Sequence, residues 1–220
     1  MTKRKLLALL LPLTLLSALY AGRFYFIGTS SALTLGYSNA DFGIAEQLSS
    51  QDKDGDGLDD QTDILQGARA YIATNPVYKS KYYEGGYPDD HFGVCTDVVA
   101  QALLAAGYDL QQLVAEDMAA RPEAYAVAEP DARIDFRRVA NLQVYFAGNA
   151  LTLDTDVQNI AAWQGGDIVI FKKHIGIVSN LRNANGVPYL IHHANPFQAA
   201  YEEDVLERRR DIVGHYRISE

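Results

Sequence analysis

A single cysteine, Cys95, stands in 220 residues, and histidines downstream are spaced to meet it. A thiol acts as a nucleophile when a base takes its proton, and imidazole is the usual base. Cys95 follows a stretch crowded with glycine, proline and acids, "YYEGGYPDDHFG" (Tyr82 to Gly93), and an apolar helical pattern begins right behind it. At a helix entrance the dipole and free backbone N–H groups favour the thiolate, whereas the charge of Asp97 opposes it. Five histidines are available as partners: His91, His174, His192, His193 and His215. His174 opens the strand pattern "HIGIVSN", and His192 lies at the end of "VPYLIHH". A hairpin around Leu181–Gly186 would bring both to the same end of a sheet. Register decides whether His192, His193 or Asn195 orients His174, because adjacent strand residues face opposite sides. A thiol, a base and a polar residue holding that base are the parts of nucleophilic catalysis. The rival readings are a buried, inert cysteine and a zinc site, which no CxxC or HExxH spacing supports.

A second constellation lies upstream. In "DKDGDGLDDQTD", Asp52, Asp54 and Asp56 occupy positions 1, 3 and 5 of a twelve-residue loop. Gly57 is at position 6, Leu58 offers a backbone carbonyl at 7, and Asp60 and Asp63 stand at 9 and 12. This is the oxygen-ligand spacing of a structural Ca²⁺ site. Asp59 at position 8 and Asp at 12 depart from the EF-hand, and the segment is more similar to a thrombospondin type-3 calcium repeat. The competing reading is a solvated acidic linker.

These residues need elements to place them. Ile64, Leu65, Ala68, Tyr71 and Ile72 form one stripe of a helix stopped by Asn75-Pro76. Val98, Val99, Ala102, Leu103 and Ala106 form the face of a second helix that ends at Gly107. Beyond it, "DIVIF", "HIGIVSN", "VPYLIHH" and "GHYRI" read as strands. Helices first and an antiparallel meander after them predict an α+β fold. Trp163 and Asp167 in "WQGGD" are expected to fix the turn into a strand, and Arg208–Arg210 to be a solvated helix face. Arg137 and Arg138 are candidates to line a cleft for an acidic peptide.

An apolar fraction of 48% is ordinary for a globular chain, and a net charge of −9 argues against a nucleic-acid partner. "TKRK" followed by the apolar run Leu6 to Gly22 predicts export through residues 1–27, as a cleaved signal or a retained inner-membrane anchor. Residues 28–51 read as a linker and 52–220 as one domain. In an oxidising compartment a lone cysteine has no internal disulfide partner, which strengthens the catalytic reading.

The Tyr82-x-x-Gly-Gly…Cys95 pattern, "WQGGDIVIF", "HIGIV" and "LIHHA" resemble NlpC-type, papain-like cell-wall peptidases. The resemblance implies Cys95 as nucleophile, His174 as base, His192 as orienting residue and Tyr82 on the substrate side. "GVCTD" stands where that family has "DCSG", so the aspartate before the cysteine is missing. Most of residues 55–220 is also similar to a family of exported bacterial proteins, the domain of unknown function 1287. The expectation is an exported cysteine hydrolase of the periplasm or cell envelope, acting on a cell-wall peptide or another envelope amide or ester. A non-catalytic envelope-binding module and an acyltransferase are the alternatives.

Overall fold

The computed structural model describes residues 36–198 and 200–219, together with Thr14 and Ser17. The expected export segment, residues 1–27, thus lies almost wholly outside the described residues. Among the described residues no helix is long and apolar enough to cross a membrane.

Among the described residues from 36 on, four α-helices and a set of short and long strands make up the fold. Helix α1 spans Asp60–Ala73. Asp59 caps it by accepting the backbone N–H of Thr62 at 3.2 Å, the usual way of satisfying a first-turn donor. It ends at Ala73, just ahead of the expected stop, where Asn75 adopts a positive φ of 54° before Pro76. Helix α2, Cys95–Ala105, packs along α1. Gly67 makes that approach feasible: a Cβ there would sit 2.6 Å from the Ala105 Cβ and 3.0 Å from the Ala102 carbonyl. Two more helices, α3 (Leu110–Ala120) and α4 (Val139–Asn149), complete the layer. The sequence reading did not delimit either of them.

The strands follow in chain order. A short parallel pair, β1 (Val77–Tyr78) and β2 (Phe92–Gly93), lies just ahead of Cys95. The main sheet contains β3 (Leu151–Thr152), β4 (Ile168–Phe171), β5 (His174–Arg182), β6 (Pro188–Ile191), β7 (Glu202–Glu203) and β8 (Ile212–Arg217). It is antiparallel throughout, in the order β3-β8-β4-β5-β6-β7. The first three expected strands pair in succession as β4, β5 and β6, but the fourth, β8, returns to the interior of the sheet, between β3 and β4.

Alternation along the strands builds two cores. Ile168, Ile170, Ile175, Ile177, Ile191 and Tyr216 face the helices. Val169, Phe171, Val178 and Leu190 face the other way, under Val157, Trp163 and Leu206. Both faces are covered, which is why "IVIF" reads as an unbroken apolar run.

A fully buried carboxylate, Asp167, holds the layers in register. It accepts from Gln61 Nε2 (2.8 Å), the Gln164 backbone N–H (2.8 Å), His215 Nε2 (2.9 Å) and Arg217 Nε (2.7 Å). Trp163 stacks on the His215 ring, 3.7 Å between centroids. Both residues therefore organise the turn into β4. The segment 36–51 is docked rather than loose: Tyr37 pairs with Arg182 through both backbone groups, and buried Asn39 bonds to Gln164 and Arg182.

Two expectations about arginines need correction. Arg137 is buried and forks onto Asp97 at 2.6 and 2.9 Å, while also donating to the Lys81 carbonyl at 2.7 Å. It anchors the first turn of α2 and does not line a cleft. Arg138 pairs with Asp135 at 3.0 Å. The run Arg208–Arg210 is a solvated helix face only in part: Arg208 ends a short 3-10 helix and is exposed, as is Arg210, whereas Arg209 lies over the Phe171 ring and pairs with Asp211.

Candidate active site

Cys95 is the first residue of α2, preceded by Val94 in an extended conformation. Asp97 turns back to accept the Val94 N–H at 2.8 Å, and Arg137 neutralises the same carboxylate. The carboxylate is thus paired, yet its charge still pushes the Cys95 thiol up, in the same direction as the larger effect of burial. The sulfur is approached by the backbone N–H groups of Ile175, Thr96 and Cys95 itself, each of which favours the thiolate. Ile175 directly follows His174 on β5, so strand and helix meet at the thiol.

Burial nevertheless outweighs these donors and pushes the Cys95 thiol up to about 11. Burial also pulls His174 down to about 3, with His192 and Arg209 acting in the same direction. The resting site therefore holds a neutral thiol and a neutral imidazole. The sequence argument from the helix dipole gave the correct sign for one contribution, and desolvation reverses the balance.

His174 and His192 come together as the hairpin argument anticipates. Pairing of Ile177 with Ile191 puts His192 opposite Gly176, on the face shared by His174. The two rings meet with His174 Nε2 2.8 Å from His192 Nδ1. Register, which the sequence left open, selects His192 over His193. Gly176 has to be glycine for this to happen, because a Cβ there would lie 3.1 Å from the His192 Cβ and 2.9 Å from the Ile191 carbonyl.

One member of the relay went unrecognised in the sequence. Glu203, on the two-residue strand β7, places Oε2 3.2 Å from His192 Nε2. Its other oxygen accepts the Ala200 N–H at 3.2 Å. As a carboxylate it can only accept, so His192 Nε2 carries the proton and Nδ1 is left as an acceptor. His174 Nε2–H then donates to that nitrogen, which leaves His174 Nδ1 without the ring proton. The tautomer of His174 is thus set from two residues away.

Tyr82 is exposed; it donates to Asp131 Oδ2 at 3.0 Å, and Arg133 donates to its oxygen at 3.2 Å. Tyr78 on β1 is the tyrosine close enough for a Cys95 thiolate to raise its phenol, after burial. It joins Val77, His193, Asn195, Gln198 and Tyr201 around a groove of about 180 Å³. His193 is wedged edge-on between Tyr78 and Tyr201. Burial pulls it down to about 4, and its Nδ1 has no hydrogen-bond partner among the described residues. Asn195, the third candidate to orient His174, lines this groove.

The Asp-rich loop divides as well. Ligand atoms of Asp52, Asp54 and Asp56 all lie within 4.8 Å of one another. Leu58, expected to offer its carbonyl, lies exposed beside them and donates its N–H to Asp56 at 2.8 Å. Asp60 departs from its expected ligand role: Oδ1 accepts the Lys53 N–H at 2.8 Å and Oδ2 accepts Tyr108 and Ser219. Position 9 is therefore used to fasten the loop to the domain.

The described residues thus form an α+β domain with a cysteine at a helix entrance and a His–His–Glu chain of hydrogen bonds on the adjoining sheet. The chain belongs to the family described as "Domain of unknown function (DUF1287)", which matches residues 65–218. It is 40% identical over 167 residues to "Uncharacterized protein YijF" of Escherichia coli (strain K12), covering 70% of this chain and 80% of that protein. No solved structure matches the chain significantly.

Proposed function

We propose that the protein is an exported cysteine hydrolase with a papain-like, NlpC-type arrangement, cleaving an amide or ester of the cell envelope. A cell-wall peptide is the substrate class that this reading favours. The observation that supports it is the His174–His192–Glu203 chain of hydrogen bonds, on a strand whose next residue, Ile175, directs its backbone N–H to the Cys95 sulfur. A structural cysteine does not require such tautomer control.

In this reading a carbonyl enters the groove beside Tyr78 and His193. His174 Nδ1 takes the thiol proton as the sulfur bonds to the carbonyl carbon, and the C=O electron pair moves onto oxygen. The N–H of Cys95, at the helix entrance, is the donor for that oxyanion. Collapse of the tetrahedral species breaks the C–N or C–O bond, and the leaving group receives the proton from His174. Water then attacks the thioester, giving its proton to His174, and the thiol is released in its starting state. Because thiol and imidazole are neutral at rest, proton transfer accompanies attack instead of preceding it. Residues 1–27 would direct the domain to the periplasm and, if retained, tether it to the inner membrane.

Burial of the thiol favours a second reading, a non-catalytic envelope-binding module. An activated ester of a short peptide separates the two. The hydrolase forms a Cys95 thioester, detected by mass spectrometry, at a rate that falls at least a hundredfold in His174→Ala. Thioester formation indifferent to His174 eliminates the hydrolase. Mass spectrometry of fragments released from purified peptidoglycan then identifies the bond.

A further inference from the structure

The groove beside Tyr78 has an open strand edge. The N–H groups of Val77 and Lys79 turn towards β2, reaching the carbonyls of His91 at 2.7 Å and Gly93 at 3.1 Å. Main-chain groups alternate sides along a strand, so those of Tyr78 point to the opposite edge. Pro76, two residues earlier, shows what that edge looks onto: its carbonyl accepts the Tyr201 hydroxyl at 2.8 Å. Tyr78 and Tyr201 both line the groove, whereas no residue of β2 does. Neither the N–H nor the C=O of Tyr78 has a partner among the described residues. An unpaired strand edge of this kind is a template for another chain.

The facing wall is fixed from within. Buried Gln198 accepts the Ala194 N–H at 2.6 Å and donates to the carbonyls of His192 and Ala200 at 2.9 and 2.6 Å. The space between the walls, about 180 Å³, is smaller than the about 300–1,000 Å³ that a whole small-molecule ligand fills. A short length of chain suits it better. Among the described residues, no aspartate, glutamate, lysine or arginine lines it, and burial keeps the His193 imidazole neutral down to about pH 4. A charged side chain would give up water there without gaining a counter-charge.

We infer that the groove receives an extended, uncharged stretch of substrate peptide, which adds to β1 as a further strand through the N–H and C=O of Tyr78. One peptide carbonyl accepts the Tyr78 N–H, and one peptide N–H donates to the Tyr78 carbonyl, the main-chain recognition that an open edge offers. The small volume selects short side chains. Tyr78 pairs with Gly93, two residues ahead of Cys95, so about three residues, at about 3.3 Å each, carry the chain from Tyr78 to the thiol. Placing the scissile bond at Cys95 rests on the proposed hydrolase, whose substrate is hereby narrowed: an envelope ester without adjacent peptide groups cannot make both bonds.

The test is amide hydrogen exchange, followed by NMR, on the Cys95→Ala protein, which binds without turnover. Saturating acetyl-tetra-alanine amide should slow exchange of the Tyr78 amide about tenfold or more, and by more than at Val77 or Lys79, which are already bonded. The same peptide N-methylated at every alanine should bind about tenfold more weakly or worse, and so should its tetra-glutamate counterpart. Tyr78→Pro removes the N–H and should bind more weakly than Tyr78→Ala, which removes only the ring; circular dichroism verifies both folds. Absence of binding, unaltered Tyr78 exchange in the bound state, or equal affinity for the N-methylated or tetra-glutamate peptide each overturns the pairing. Tyr78 protection that rises with protein concentration alone also overturns it, because a second copy then occupies the edge. None of these readouts needs hydrolysis, so failure of the groove is told apart from failure of the hydrolase, which the Cys95 thioester decides.

Discussion

The His174 and His192 rings meet nearly edge-on, at 71°, with Nε2 of the first 2.8 Å from Nδ1 of the second. That contact has meaning only together with Glu203, because either imidazole alone could take the opposite tautomer. Glu203→Gln removes the fixed acceptor and allows His192 to reverse. The expected result is a fall in kcat of about ten- to hundredfold, the worth of a hydrogen bond to a charged group, with KM unchanged. The acid limb of the kcat profile should also move in this variant. A purely structural Glu203 would lower the melting temperature and leave that limb in place.

Acid stability provides a second check. His174 and His193 are held below their ordinary imidazole range, at about 3 and about 4. A group with a depressed folded pKa contributes stability above its unfolded pKa, and this is lost as pH falls through the folded value. Stability should therefore decline between about pH 6.5 and pH 3. Melts of the His174→Gln/His193→Gln double variant should show a flatter acid limb over that window. Parallel curves for parent and variant would contradict the burial argument.

Thiol alkylation tests the opposite end of the scale. With the Cys95 thiol raised to about 11, its reaction with iodoacetamide should keep accelerating beyond pH 9 instead of reaching a plateau. For the same reason the stability contributed by the buried neutral thiol is present below its unfolded pKa and lost as pH rises toward 11. A plateau near pH 7 would show a thiolate already formed at rest.

The groove makes a separable prediction. Replacing His193 with Phe keeps the ring between Tyr78 and Tyr201 and removes the unpaired Nδ1. If substrate bonds to that nitrogen, KM rises about three- to tenfold, while the rate of Cys95 acylation by a small activated ester is unchanged. An unaltered KM would place the substrate elsewhere.

Gly176→Ala probes the hairpin. The added methyl would lie 2.8 Å from Leu190 Cδ1 as well as against the backbone of Ile191. Overpacking of this kind costs about 1–3 kcal/mol, and here it also displaces His192. Both Tm and turnover should fall, and turnover should fall further than in a control such as Ile177→Val.

The sequence was most legible where periodicity ran long. The stripe of Ile64, Leu65, Ala68 and Ile72 and the apolar run of β4 mark their elements unambiguously, and the lengths of β5 and β6 put His174 near His192. Glu203 and Tyr78 were not legible, because two-residue strands carry no period and their partners lie far away in the chain. Asp60 was misassigned for a related reason. Loop spacing shows which carboxylates could face an ion, but not which are claimed by Tyr108 and Ser219, 48 and 159 residues away. Burial of the thiol depends on tertiary packing, and a helix entrance read from sequence does not reveal it.

The insertion of β8 between β3 and β4 has a consequence for how the domain comes into being. Until residues 212–217 arrive, β4 has one bare edge, and Asp167 lacks both His215 and Arg217. A chain made or threaded in order from its N-terminus has Cys95 and His174 long before it has the strand that closes the sheet. The last of the described strands thus completes both the edge of β4 and the pairing of Asp167, so the sheet and its buried carboxylate are whole only once the chain through residue 217 is in place.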